Sequence, residues 1–328
     1  MVVALLVAVT LGVAYLNGAN DVSKGIATLV GSGVTDYRRA VLWGTVWTVL
    51  GGMAAALASR GLVTTFSGNG LLVTDPAGHP FLPAVGVGAV GWLFMSTRTG
   101  MPVSTTHALV GGLIGAGIAA QGVAGVEWAA VASKTAIPLA VSPFLAMALM
   151  IGGYPLIGLA FRRFNRYCVC VEREEPVDSM HWLTSGATSF FRGMNDTPKI
   201  LALGAVAAVG TGLAVEWLFA LIALVMGAGS YVAGRRVTDT LAGKLTRIAH
   251  DDGFAANLVT SALVGIASLY ALPVSTTHVS TGAITGVGAR KRDVRWRMVR
   301  DMVLAWAVTL PVAGILAGLA YVVLGRLG

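Results

Sequence analysis

Long apolar runs constrain the fold of this 328-residue chain more than any other feature. Runs such as 40–58, 127–160 and 298–324 reach the ~20 residues that a helix needs to cross a bilayer. Hydrophobic residues make up 55% of the chain and charged residues only 12%, and the mean hydropathy is +0.77. These values are far outside the usual range of soluble proteins. We therefore predict an all-α, polytopic integral membrane protein.

Two polar motifs occur twice at nearly the same spacing, which indicates an internal duplication. The hexapeptide PVSTTH lies at 102–107 and again at 273–278, 171 residues later. An Asn-Asp pair lies at 20–21 and again at 195–196, 175 residues later. We predict a first transmembrane repeat over 1–160, a linker over 161–179 and a second transmembrane repeat over 180–328.

Hydropathy and charge together predict that the second repeat is inverted in the membrane. Each half has five membrane-associated stretches, at about 3–34, 40–59, 81–97, 102–119 and 128–160, then 182–208, 213–233, 255–271, 273–289 and 298–324. An odd number per repeat turns the second copy upside down. If the linker is cytoplasmic, 17 of the 23 basic residues fall on the cytoplasmic side, as the positive-inside rule expects. Both termini then lie outside the cell membrane, and the net charge of +8 gives no indication of nucleic-acid binding.

The Asn-Asp motifs place carboxylates inside apolar stretches. An isolated carboxylate there costs at least ~2.5–3.5 kcal/mol on insertion scales. Lys24 and Lys199 follow Asp21 and Asp196 by three residues, so each pair shares a helix face. Two interpretations stay open, a neutralised ion pair that fixes packing and an ion site near the bilayer midplane. The occurrence in both halves favours the second.

Residues around each carboxylate extend this candidate site. Asn20 and Asn195 add amide oxygens and N–H donors that suit a cation or an anion. Gly18 and Gly193, upstream of each Asn-Asp pair, would allow the backbone to unwind, and Pro198 supplies a second break. We therefore expect broken helices at these positions.

The PVSTTH motifs are typical of helix starts, with proline leading and serine or threonine capping. Such a start within the membrane presents free N–H groups and a positive dipole end. The adjoining hydroxyls are Ser104, Thr105, Thr106, Ser275, Thr276 and Thr277. Two such starts from opposed halves could hold a tetrahedral oxyanion near the midplane. The alternative is that the hydroxyls bond back to their own helix. His107 and His278 would relay a proton or lock the helix start as neutral rings.

Other functional classes have weaker support in this sequence. An intramembrane hydrolase needs a nucleophile with a partnered base, which Ser104 near His107 meets only loosely. The HExxH, nucleophile-elbow and Walker motifs are absent from the sequence, so neither an enzyme nor an ATP-driven pump is indicated. A passive anion channel would share the hydroxyl-lined site, but passive conduction does not require the duplicated Asp–Lys pairs. Cys168 and Cys170 in the linker are too few for a zinc site.

The segments NGANDV at 17–22 and GMND at 193–196, with the paired PVSTTH motifs, resemble the inorganic phosphate transporter (Pit) family over essentially the whole chain. The resemblance implies sodium- or proton-coupled uptake of an inorganic tetrahedral anion, an inverted-repeat fold with broken helices, commonly a homodimer, and no cofactor. It implies that the anion contacts Asp21, Asp196 and the hydroxyl triplets. The coupling cations would lie near Asn20 and Asn195, beside the same two carboxylates.

The chain departs from the family pattern at the same position in both copies. Where the family typically continues Asn-Asp-Val-Ala-Asn, this sequence has Lys24 and Lys199. An ammonium there could lend charge to a bound dianion, so both lysines are candidate substrate ligands. It could also take the space of a sodium ion, which favours proton coupling over sodium coupling. Some relatives carry sulfate, which cannot donate a hydrogen bond to a carboxylate as phosphate can. Asp21 and Asp196 therefore favour phosphate unless the lysines already engage them. We predict an ion-coupled phosphate symporter that works by alternating access, with sulfate as the alternative substrate.

Overall fold

Helices form nearly all of the chain that the structure describes. The structure is a computed structural model that describes residues 2–58, 63, 66, 70–74, 80–165, 175–211, 214–272 and 274–327. The helices are α1 (Val2–Asp21), α2 (Ser23–Gly31), α3 (Tyr37–Ala58), α4 (Phe81–Thr99), α5 (Thr105–Gln121), α6 (Trp128–Val131), α7 (Ile137–Asn165), α8 (Glu175–Thr211), α9 (Val215–Ala233), α10 (Arg235–Gly243), α11 (His250–Leu269), α12 (Thr276–Lys291) and α13 (Trp296–Gly325). Residues 166–174 of the predicted linker, which include both cysteines, lie outside the described residues, as does Pro273.

Seven helical segments in this part of the chain are long and apolar enough to cross a membrane. They are Val2–Gly31, Tyr37–Leu57, Phe81–Thr99, Trp128–Ile157, Val215–Ala233, His250–Leu269 and Trp296–Gly325. The prediction of an all-α multi-pass membrane protein is confirmed. Helices α5 and α12 have 17 and 16 residues, which makes each about 25 Å long and shorter than the ~30 Å hydrocarbon core.

Two helical hairpins meet tip to tip. Helices α4 and α5 pack together as the first hairpin, and α11 and α12 pack as the second. At the tips, the Thr277 hydroxyl donates to the Val103 carbonyl at 2.8 Å, and the Thr106 hydroxyl lies 3.5 Å from the Val274 carbonyl. The starts of α5 and α12 therefore face each other.

The two hairpins enter from opposite ends of the helix bundle. Helix α13 begins close after the end of α12, at the base of the second hairpin. It then runs parallel to α5, because Leu310 packs on Gly111 and Gly314 on Gly115, towards the base of the first hairpin. This is the arrangement that inverted repeats require. The inversion of the complete halves across a bilayer, and their boundaries, stay predictions.

The expected unwinding at Gly18 and Gly193 is wrong. Helix α1 runs through Gly18, and only Val22 interrupts the path to α2, with helical φ and ψ of −57° and −31°. Helix α8 continues through Gly193 and Pro198. The half helices of this fold are α5 and α12 instead.

Close packing explains the two glycines. A Cβ added at Gly18 would overlap the Met226 carbonyl oxygen of α9, and one added at Gly193 would overlap the Thr48 carbonyl oxygen of α3. Helix α1 therefore lies in backbone contact with α9, and helix α8 lies in backbone contact with α3. These contacts bring both Asn-Asp motifs into one buried region.

Candidate functional site

Serine caps fix the start of both tip helices. The Ser104 hydroxyl accepts from the N–H of His107, and the Ser275 hydroxyl accepts from the N–H of His278, each at 3.2 Å. Both serines have extended backbones, with φ −96° and ψ 118° or 115°. The prediction that PVSTTH opens a helix is confirmed. The preceding N–H groups of each first turn have no intrahelical acceptor.

The threonines make contacts beyond their own helices. Thr105 Oγ1 accepts from Asn17 Nδ2 at 2.9 Å, and Thr106 Oγ1 accepts from Lys199 Nζ at 3.0 Å. Thr277 donates across to the first hairpin, and Thr276 is buried beside it. The alternative that these hydroxyls only bond back to their own helix is therefore wrong for Thr105, Thr106 and Thr277.

The two carboxylates lie in one cluster although they come from different halves. Lys24 Nζ lies 2.6 Å from Asp21 Oδ1, and Lys199 Nζ lies 3.3 Å from Asp196 Oδ1. The amide nitrogen of Asn17 lies 3.0 Å from the second oxygen of Asp21 and 3.2 Å from that of Asp196. All four charged side chains are at most 3% exposed. One amide thus bridges the two ion pairs.

Lys24 lies in a cage of oxygen atoms that the first Asn-Asp motif supplies. Its ammonium donates to the Asn20 carbonyl at 2.9 Å and to Asn20 Oδ1 at 3.0 Å, in addition to Asp21. Asn20 Oδ1 also accepts from the N–H of Val103 at 3.1 Å, and Asn20 Nδ2 donates to the Met101 carbonyl at 3.0 Å. Asn20 therefore ties the first hairpin tip to the ammonium.

Lys199 lies in a second cage that reaches both hairpin tips. Besides Asp196, its ammonium donates to Asn195 Oδ1, to Thr106 Oγ1 at 3.0 Å and to the Val274 carbonyl at 2.8 Å. Asn195 Nδ2 donates in turn to Ser268 Oγ on α11 at 3.0 Å. Both predicted coupling-ion positions are thus occupied by a lysine ammonium in this structure.

Arg192 and Asn17 belong to the buried cluster but are not among the site residues predicted from the sequence. Arg192 is 1% exposed, and its guanidinium donates to Asn17 Oδ1 at 3.2 Å and to Thr48 Oγ1 at 2.6 Å. Arg192 follows Asn17 by 175 residues, the spacing of the two Asn-Asp pairs. Aligning the two halves at that offset would have found both residues.

The two histidines pack against each other at the tips. Their ring centroids are 4.7 Å apart, and His278 also stacks on Trp306 at 3.9 Å. His278 Nδ1 lies 2.9 Å from the Leu139 carbonyl oxygen, a contact that requires the ring to donate. The geometry suits neutral rings that lock the two helix starts, and the proton relay stays a prediction.

The chain is similar to known membrane transporters over nearly its whole length. The family model described as the phosphate transporter family matches residues 17–317. The chain belongs to the phosphate transporter family. A probable low-affinity inorganic phosphate transporter of Bacillus subtilis is 27% identical over 98% of this chain and 97% of its own length. A protein of the same description from Mycobacterium tuberculosis is 32% identical over 97% of this chain and 76% of its own length.

A solved structure shares the fold. It is described as the sodium-dependent phosphate transporter, and it superposes with a TM-score of 0.88 at 23% identity over 100% of both chains. The family and these relatives are transporters, so the chain is a membrane transporter and not an enzyme.

Proposed function

We propose that this protein is a secondary active transporter that takes up inorganic phosphate with a coupling proton by alternating access. The observation that carries the proposal is the meeting of two oppositely directed hairpin tips at one buried cluster, where Asn17 bridges Asp21 and Asp196. A site held between two halves can open to either side when one half moves. The names of the relatives supply phosphate as the first substrate.

The tips offer what a tetrahedral oxyanion needs. Each tip helix starts with N–H groups that lack intrahelical acceptors, and the positive ends of both dipoles point to the same place. The hydroxyls of Thr105, Thr106, Thr276 and Thr277 are buried around them. Binding of the anion by Asp21, Asp196 and these triplets, with Ser104 and Ser275 as caps, is part of the proposal.

Sulfate is a second candidate because both carboxylates are engaged. Each has one oxygen with a lysine and the other with Asn17. A carboxylate in this state has less capacity to accept the hydrogen bond that distinguishes phosphate from sulfate. The choice between phosphate and sulfate therefore requires a direct comparison of their uptake.

Proton coupling is favoured over sodium coupling because both cages already hold a cation. The ammonium groups of Lys24 and Lys199 each have at least three oxygen neighbours at hydrogen-bonding distance. A sodium ion would need the same oxygens, and two cations cannot share one cage without strong repulsion. The lysines act as tethered substitutes for exchangeable cations.

Uptake by the purified protein in proteoliposomes tests the proposal. Labelled phosphate and labelled sulfate are compared under an inward sodium gradient and then under a pH gradient that is acidic outside. We expect saturable phosphate uptake that the pH gradient drives, that a protonophore abolishes and that replacement of sodium by choline leaves unchanged. Saturable uptake of neither anion would reject the proposal, and flux that only follows the anion gradient would indicate a channel.

A lysine variant tests the coupling argument separately. Lys24→Asn restores the neutral residue that the family usually has near this motif and empties the first cage. We expect uptake by this variant to become dependent on sodium, with Lys199→Asn as the matched change in the second cage. Uptake that stays independent of sodium in both variants would contradict the assigned role of the lysines.

The proposed orientation places both termini outside and the linker 161–179 in the cytoplasm. The only two cysteines of the chain, Cys168 and Cys170, lie in this linker. An impermeant maleimide should therefore label the protein in permeabilised cells and not in intact cells. Labelling in intact cells would indicate the opposite orientation. The proposed homodimer is checked by the mass of the detergent-solubilised protein.

A further inference from the structure

Arg192 has an unusual environment for a charge in the middle of a membrane protein. It ranks among the largest fully buried side chains of the described residues. Its hydrogen-bond acceptors are all neutral: Asn17 Oδ1, Thr48 Oγ1 and, at 3.4 Å, Ser230 Oγ. Its Nε has no acceptor within the described part of the chain. Unlike Lys24 and Lys199, it has no carboxylate within 4.0 Å there.

The charges of the cluster do not cancel. Asp21 and Asp196 are each paired with one lysine, so these two pairs are neutral together. Arg192 adds one positive charge, and no carboxylate in the described part of the chain lies within 4.0 Å of it. A buried guanidinium with no carboxylate in direct contact is costly at membrane depth, where such residues commonly mark binding sites or transport pathways.

A purely structural role does not account for this charge. Arg192 holds α1, α3 and α9 together through Asn17, Thr48 and Ser230. Neutral amides can make such bonds, as Asn17 does at the equivalent position of the first half. The duplication therefore retains an amide in one half and places an arginine in the other. The arginine adds the positive charge and an Nε–H that has no acceptor among the described residues.

We propose that Arg192 supplies the positive charge that binds the transported oxyanion and that it is a specificity-determining residue for anion over neutral solutes. In this view Lys24 and Lys199 neutralise Asp21 and Asp196, and the surplus charge of Arg192 attracts the substrate. A guanidinium suits this role because it presents several N–H donors in a fixed fork that matches oxyanion geometry. The inference rests on the proposed oxyanion transport.

Three variants separate the charge from the structural contacts. Arg192→Gln removes the charge and keeps hydrogen-bonding groups, and Arg192→Lys keeps the charge and loses the fork. Thr48→Val removes the shortest hydrogen bond of the guanidinium but leaves the charge in place. Each variant is checked for a single symmetric peak in size-exclusion chromatography before reconstitution.

The readout is the half-saturating phosphate concentration for uptake into proteoliposomes, measured together with the maximal rate. We expect Arg192→Gln to raise the half-saturating concentration roughly ten- to hundredfold, because the variant loses a charge-assisted interaction with the anion. Arg192→Lys should recover most of this loss, and Thr48→Val should change the concentration by less than about threefold. A role in packing alone predicts instead that Thr48→Val is as defective as Arg192→Gln.

The outcomes distinguish this inference from the proposed function. If the wild-type protein takes up neither phosphate nor sulfate, the proposed function fails. If wild-type uptake is saturable and Arg192→Gln keeps the wild-type half-saturating concentration, only the inference on Arg192 is overturned. If Arg192→Gln does not fold, Arg192→Lys decides, because a folded lysine variant without saturable uptake contradicts a role for the charge.

Discussion

The buried pair of Asp21 and Lys24 gives the sharpest energetic prediction. The two charged atoms are 2.6 Å apart, and both side chains are at most 1% exposed. At an effective dielectric constant of ~20, two unit charges at this distance attract by about 6 kcal/mol. Asp21→Asn removes this attraction but leaves an amide dipole and the two Asn20 oxygens near the ammonium. We expect a net loss of about 3–5 kcal/mol of stability, the usual cost of breaking a buried pair.

Thermal unfolding in detergent, followed by tryptophan fluorescence, measures this loss. Asp21→Asn should lower the unfolding midpoint clearly, and Asp21→Asn/Lys24→Met should recover most of it because no unpaired charge is left. Asp196→Asn should cost less, since Lys199 keeps three neutral oxygen partners. An unfolding midpoint of Asp21→Asn equal to that of the wild type would refute the premise that a charged pair is buried there.

Four further predictions concern transport and packing. Asp21→Asn and Asp196→Asn should each abolish phosphate uptake in proteoliposomes, and wild-type uptake by both would remove them from the site. Thr106→Val should weaken phosphate uptake by removing an acceptor of Lys199 at the tips, whereas an unchanged half-saturating concentration would exclude it from binding. Ser275→Ala should lower the unfolding free energy by about 1 kcal/mol through loss of the cap, and an unchanged midpoint would contradict that role. Gly115→Ala should lower the midpoint because its Cβ overlaps the Gly314 carbonyl, while Gly152→Ala, with open space around it, should not.

Structural features that depend on short segments of the chain could be predicted from the sequence. Apolar runs predicted the membrane helices because lipid demands ~20 residues of low polarity. The PVSTTH repeats predicted two capped helix starts because serine caps are local. The spacing of Lys24 and Lys199 three residues after Asp21 and Asp196 predicted that each pair shares a helix face, for the same reason.

Features that depend on residues far apart in the sequence could not be predicted from it. Gly18 and Gly193 were expected to unwind their helices, but each is helical and allows backbone contact with another helix. Glycine permits both results, and only the neighbouring helix decides between them. Arg192 was missed because its partners Asn17 and Thr48 lie 175 and 144 residues away along the chain.

The sequence by itself therefore determined the membrane environment, the repeated motifs and the chemical groups that these motifs contribute. Hydropathy, repeated motifs and charge spacing are properties of neighbouring residues, so they can be read without coordinates. Only the tertiary structure decided that the two tips meet, that Asn17 bridges both carboxylates and that Arg192 has no carboxylate of the described residues within 4.0 Å. These features arise from contacts between halves, and the packing of helices far apart in sequence sets them.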